Sequence, residues 1–172
     1  MTKQGFDTKV LAEMAIAIAL ATVLSYIKIF NMPYGGSVTL GSMVPILLIS
    51  FRRDAKIGVI TGVIYGFVQM ILDGWFYSPV GMFLDYPLAF GIIGVAGLFK
   101  KQPIVGVVVA LTGRFISHFI SGVVFFGMYA PEGMSPVVYS AVYNAAYMIP
   151  EMIISAILIY LLVQRNVLNM NL

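Results

Sequence analysis

The chain has 172 residues, 60% hydrophobic and 10% charged, with a mean hydropathy of +0.98 and a formal charge of +3. A soluble domain carries about 25% charged residues, so a water-soluble globule is excluded, and with it the nucleic-acid partner that a basic soluble domain would suggest. There is no cysteine, which excludes disulfides, thiolate metal sites and cysteine nucleophiles.

The apolar residues fall in runs long enough for a bilayer, which takes about 20 residues per helix. They lack the ten-residue alternation of a membrane barrel. The composition therefore implies an all-α integral membrane protein, a single six-helix membrane domain over residues 1–172. Span one runs from about Lys9 to Ile29, span two from Thr39 to Phe51, and span three from Ala55 to Leu72. Span four covers Pro79 to Phe99, span five Pro103 to Gly127, and span six Pro136 to Val163. Span two is short for a full crossing. The polar start of the chain and the lack of a cleavage site before a soluble domain make span one a retained helix, not a signal peptide.

Six spans put both termini on one side, and charge says which. Lys3 and Lys9 precede span one, Arg52, Arg53 and Lys56 follow span two, Lys100 and Lys101 follow span four, and Arg165 follows span six. The positive-inside rule makes that side, and both termini, cytoplasmic. The outer loops 73–78 and 128–135 carry no Lys or Arg. Lys28 is the exception, near the outer end of span one, where it can snorkel.

Small residues recur at helical spacing in two spans. Gly58, Gly62 and Gly66 form a ridge on span three that suits close packing within the bundle. Ala15 and Ala19, with Ala17 and Ala21 as a second pair, do the same on span one. There the pattern fits either bundle packing or a docking face for another membrane protein.

Helix rise places the intramembrane polar residues in depth. Asp85 lies roughly 9 Å in from the outer end of span four, His118 roughly 14 Å in on span five, and Asn144 roughly 12 Å in on span six, with Tyr139 above it at roughly 4–5 Å. Arg114 sits one turn below His118. Each residue alone has a structural reading: Asp85 as a partner for Arg114, His118 as a bonded core residue, Asn144 as a cross-helix bond, and Tyr139, Tyr143 and Tyr147 as interfacial aromatics. Together at one depth they read as a pocket open to the outside. Phe125, Phe126, Tyr86 and the tyrosines add flat faces. A carboxylate among aromatic faces suits a planar cation. Trp75, the only tryptophan, is placed to anchor at the interface or to cover that pocket. No HExxH, Walker or GxSxG motif is present, and a single histidine excludes multi-His metal ligation. The chain is not expected to be an enzyme and is assigned no cofactor.

Four segments carry a family resemblance: MPYGGSVTLGSMVPILLISFRRD (Met32 to Asp54), FLDYPLAFGIIGVAGLF (Phe83 to Phe99), RFISHFISGVVFFGMYAPEG (Arg114 to Gly133) and VVYSAVYNAAYMIP (Val137 to Pro150). They cover about half the residues, in order. The chain resembles the thiamine-specific substrate-binding (S) component of energy-coupling factor (ECF) transporters, in the Bacillus-like branch. The resemblance implies a six-helix, multi-pass protein of the bacterial cell membrane that captures thiamine from outside. It would dock on a transmembrane coupling subunit with two cytoplasmic ATPases. The family's ligand-binding positions correspond to Asp85, Tyr86, His118, Tyr139 and Asn144, and its docking motif to Ala15 and Ala19. Gly36 and Phe126 stand where some members carry tryptophan, and Asp85 where some carry glutamate.

That resemblance, with the pocket, predicts Asp85 as counter-charge to the thiazolium. His118, Tyr139 and Asn144 would be hydrogen-bonding groups, and Phe126, Tyr86 and Trp75 stacking faces. Loop one, Phe30 to Ser37, with Pro33 and the Gly35-Gly36 pair, is expected to be a mobile lid. Two other classes fit the same residues. One is a stand-alone proton-coupled carrier using Asp85, His118 or Glu151. The other is a membrane protein whose polar cluster is structural glue. Within the S-component class itself, the ligand could also be another vitamin or a pyrimidine precursor.

Overall fold

The fold comes from a computed structural model, which describes residues 7–165. Lys3, used above for orientation, lies outside them. The element order is α1 (Thr8–Ser25), β1 (Lys28–Asn31), β2 (Ser37–Thr39), α2 (Val44–Arg52), α3 (Ala55–Asp73), α4 (Pro79–Phe99), α5 (Pro103–Phe125) and α6 (Pro136–Gln164). Among the described residues, α1, α3, α4, α5 and α6 are long and apolar enough to cross a membrane.

Local sequence sets the helix starts. Pro79, Pro103 and Pro136 each open a helix, a position where the missing N–H is no loss and the fixed φ is already helical. Asp54 caps α3 by accepting from the Ile57 amide at 2.8 Å, and Ser135 caps α6 through Val138. Both satisfy an amide with no partner inside its helix.

The expected first and second spans differ from the structure in one stretch. α1 stops at Ser25, and residues 28–39 form a two-stranded antiparallel hairpin with a short turn at Pro33–Gly35. Gly35 takes the turn's positive φ of 104°, which costs little without a Cβ. α2 then has only nine residues, about 13 Å of rise. Ile46 and Leu47 on it are fully buried. Its apolar character therefore reflects burial inside the bundle, not a full crossing.

The glycine ridge of α3 packs against α4 as expected, and it does so in register. A Cβ at Gly58 would lie 3.0 Å from the Gly94 Cα, one at Gly62 2.8 Å from the Phe90 carbonyl carbon, and one at Gly66 2.7 Å from the Pro87 Cα. The partners fall by about four residues as the glycines rise by four, the signature of two antiparallel helices in backbone contact.

α4 is irregular because of Pro87. A proline cannot donate to the carbonyl four residues back, and its ring pushes that carbonyl away. Residues Leu84–Leu88 respond with a π-type turn, and Gly94–Phe99 tighten to 3₁₀. The Leu84 carbonyl accepts from Ser117 Oγ on α5 at 2.7 Å.

The basic loops gather at one end. The Arg53 guanidinium forks onto Glu13 of α1 at 2.6 and 2.7 Å, and Lys100 donates to the Arg53 carbonyl. The hairpin lies at the other end. Lys28 does not merely snorkel; it pairs with Asp73 at the end of α3 at 2.8 Å. Ala17 and Ala21 face the bundle, whereas Ala15 and Ala19 are exposed.

Replacing Gly62 with Ala should destabilise the protein by about 1–3 kcal/mol, the cost of overpacking a tight contact. Thermal unfolding in detergent checks this; an unchanged melting temperature would contradict backbone contact at this position.

Candidate functional site

A cavity of about 150 Å³ opens at the hairpin end of the bundle. The residues singled out from the sequence, Asp85 and Tyr86 on α4, His118 and Phe126 on and after α5, and Tyr139 and Asn144 on α6, all line it. Trp75 and Arg114 line it too.

Asp85 is the centre of its polar wall. The π-type turn at Leu84–Leu88 re-aims its side chain relative to a regular helix. Its carboxylate is largely buried, with 17% exposure. An ionised carboxylate in that setting is stable only when its oxygens are bonded. Oδ1 lies 2.8 Å from His118 Nδ1. Oδ2 accepts from Ser121 Oγ at 2.7 Å and from the Tyr77 hydroxyl. Bonds to a charged acceptor contribute about 1.5–3 kcal/mol each. Burial, and then the negative charge of Asp85, push the Tyr77 phenol above its ordinary pKa. Tyr77 therefore stays protonated and donates.

Arg114 is buried one turn from His118. Its Nε–H donates to His118 Nε2 at 3.2 Å, its Nη1–H to the Met43 sulfur at 2.7 Å, and its guanidinium lies 4.2 Å from the Phe90 ring centre. The Asp85–Arg114 ion pair that the sequence allowed is not formed. The imidazole stands between the two groups instead.

Asn144 is bonded within its own helix and, through its amide, to the His118 carbonyl of α5 at 3.4 Å. Its amide donates to the Ser140 carbonyl at 2.9 Å, and its oxygen accepts from the Tyr147 hydroxyl at 2.8 Å. Tyr139, Tyr143 and Tyr147 line one side of α6 with neighbouring ring centres 5.9 Å apart, the first pair tilted and the second edge-on, and Tyr147 meets the His118 ring edge-on at 6.1 Å. Phe126 packs edge-on to Tyr77 at 4.5 Å. Trp75 is half-exposed at the mouth and donates its amide to the Tyr86 hydroxyl.

The hairpin turn covers this cavity and is held by one hydroxyl. Tyr143 donates to the Pro33 carbonyl and accepts from the Gly36 amide at 3.1 Å. Gly36 is needed here because a Cβ would lie 2.8 Å from Tyr147 Cδ1. A larger residue here would have to displace the Tyr147 ring or the Tyr143 hydroxyl. Glu151, deeper on α6, accepts from the Thr39 amide and from Thr39 Oγ1. It thus ties the base of the hairpin to the same helix.

Sequence reasoning missed Tyr77, Ser121 and the latch role of Tyr143. Ser121 was findable, since it lies three residues from His118 on the same helix face. Tyr77 was not, because it sits in a loop with no periodicity to read.

A buried carboxylate held among aromatic rings in a membrane bundle, open at one end, defines a membrane-embedded binding protein for a small ligand. The comparisons give its kin. The model of the family described as "Thiamine transporter protein" matches residues 11–170. The chain is 42% identical to the thiamine transporter ThiT of Bacillus subtilis, covering 88% of each chain, and 30% identical to ThiT of Lacticaseibacillus paracasei, covering 78% and 77%. The solved structure of ThiT from Listeria monocytogenes superposes with a TM-score of 0.84 at 26% identity, covering 92% of this chain and 94% of that one. The chain belongs to the thiamine transporter family.

Tyr143→Phe should raise amide exchange of the 32–37 turn about tenfold or more, because it removes both hydrogen bonds of that hydroxyl, each worth about 0.5–1.5 kcal/mol. Hydrogen–deuterium exchange read by mass spectrometry checks this; unchanged exchange would mean that the turn is held elsewhere.

Proposed function

We propose that this protein is a high-affinity thiamine-binding S component of an ECF-type vitamin uptake transporter in a bacterial cell membrane. The observation that carries the reading is Asp85. A carboxylate fixed by donors from a loop and from α5 lies in the wall of a cavity lined by Tyr86, Phe126 and the α6 tyrosines. Thiamine joins a permanently charged thiazolium to an aminopyrimidine. The thiazolium nitrogen carries no proton, so it needs a nearby negative charge and not a vacant acceptor. Asp85 supplies that charge through space, and the low polarity around it strengthens the attraction. Tyr86, Phe126 and Trp75 stack on the rings. Tyr139 and Asn144 meet the aminopyrimidine or the hydroxyethyl group; His118, its two ring nitrogens bonded to Asp85 and Arg114, lines the site and orients Asp85 rather than bonding the ligand.

In this reading α2 is the short member of a six-helix set, and both termini are cytoplasmic. The basic residues Arg52, Arg53, Lys56, Lys100 and Lys101 then lie inside, and the cavity opens outside. Thiamine is captured there, and the chain docks on a transmembrane coupling subunit driven by two cytoplasmic ATPases. The exposed Ala15 and Ala19 on α1 form the docking face. Their small side chains allow close helix approach.

Asp85→Asn should weaken thiamine binding at least about tenfold, or 1.4 kcal/mol, with the fold retained as a single cooperative melting transition. Calorimetric titration of both proteins checks it; equal affinities would remove the counter-charge role. Ala15→Trp should leave thiamine affinity unchanged and abolish uptake in cells that contain the coupling module. Normal uptake by that variant would sink the docking face.

A further inference from the structure

The one histidine of this chain has both ring nitrogens committed, to partners of opposite kind. Nδ1 faces Asp85 Oδ1 at 2.8 Å, and an ionised carboxylate only accepts. Nε2 faces the Nε–H of Arg114 at 3.2 Å, and a guanidinium only donates and keeps its proton at any physiological pH. The ring therefore carries its proton on Nδ1 and presents a lone pair at Nε2. Protonating Nε2 would set N–H against N–H and place a second cation beside a buried guanidinium.

From this we infer that Arg114 is a positioning residue that fixes His118 as the neutral Nδ1–H tautomer and thereby insulates capture of a cationic ligand from external pH. The inference rests on the cationic-ligand reading for its consequence, although not for the tautomer itself. A free imidazole titrates near pH 6.5. An imidazolium 2.8 Å from Asp85 would offset the charge that attracts a thiazolium and would repel the ligand directly. Arg114 prevents this without taking that place itself. Its guanidinium is drawn off over the Phe90 face and onto the Met43 sulfur, on the side of the imidazole away from Asp85.

The other groups around the ring leave this balance intact. From α4 comes Asp85, and behind it the protonated Tyr77. From α6 comes Tyr147, edge-on at 6.1 Å, whose hydroxyl is bonded to Asn144. Glu151, the one acid on α6, is bonded to Thr39 and not to the ring. Hydroxyl, carboxylate and guanidinium thus define one protonation state for His118.

The first test needs no ligand. In full-length protein labelled with 15N in histidine, the sole imidazole gives one pair of nitrogen signals. We expect protonated Nδ1 and bare Nε2 from pH 8 to 5.5. The opposite tautomer, or an imidazolium at pH 6, would overturn the inference. The second test is thiamine titration over the same range. The unsubstituted protein should hold its affinity within about twofold. Arg114→Met should lose at least about tenfold between pH 8 and 5.5, with a midpoint at or above the ordinary imidazole value of about 6.5, and adding His118→Asn should flatten the profile again. If Arg114→Met does not fold, Arg114→Gln, which removes the cation and can turn its amide oxygen towards an Nε2–H, should titrate likewise. A flat profile in the folded single variant overturns the inference. Failure of the unsubstituted protein to bind thiamine at any pH, with the nitrogen signals as expected, would instead overturn the ligand reading alone.

Discussion

A carboxylate largely buried inside a membrane bundle needs partners from the protein for its oxygens, because lipid supplies none and burial leaves little access to water. Asp85 meets that need with Tyr77, His118 and Ser121. These groups come from the loop ahead of α4 and from two successive turns of α5. Satisfying one charge therefore fixes the loop and both helices relative to one another. Arg114 extends the same network downward, with His118 as the insulating layer between opposite charges. Cation, imidazole and anion form a short stack along the cavity wall.

Two backbone features make that stack possible. Pro87 breaks the regular hydrogen bonding of α4, and the π-type turn it induces points Asp85 and Tyr86 at the cavity. The glycine ridge of α3 then lets α3 lie directly on the broken stretch, against Tyr86 and Pro87. A distorted helix costs stability, and close packing along one whole side offsets it. The hairpin closes the other side through Tyr143 and Glu151, so α6 carries both a cavity wall and the anchors of its cover.

Much of this was legible in the sequence. The α3 ridge showed as a four-residue glycine repeat. Asp85, His118 and Asn144 showed as polar residues at one depth on three helices, since a polar residue in an apolar run stands out. Tyr139 was found the same way, and Tyr86 and Phe126 as aromatic faces beside that layer, with help from family resemblance. What failed to show depends on contacts distant in sequence. Thr39 to Phe51 looks like a span because burial in protein and burial in lipid demand the same apolar residues; only its nine-residue helix tells them apart. The hairpin was hidden because β1, KIFN, continues the apolar run of α1. Tyr77 and the Asp85–His118 bond depend on how α4 is distorted, which a proline announces but does not specify. The neutral role of His118 between Asp85 and Arg114 was likewise beyond reach, since spacing gave Arg114 and Asp85 equal claim to each other.

The central claim is that a fixed carboxylate holds a permanent ring cation by charge and not by hydrogen bonding. The most direct measurement compares two ligands on the unsubstituted, purified chain: thiamine, and an isosteric analogue in which a neutral thiophene replaces the thiazolium. Fluorescence of Trp75 at the cavity mouth follows both titrations without any partner protein. The account predicts one-to-one binding of each, with thiamine tighter by at least about tenfold, and a gap that changes little with salt because the charges are buried. Equal affinities would contradict it.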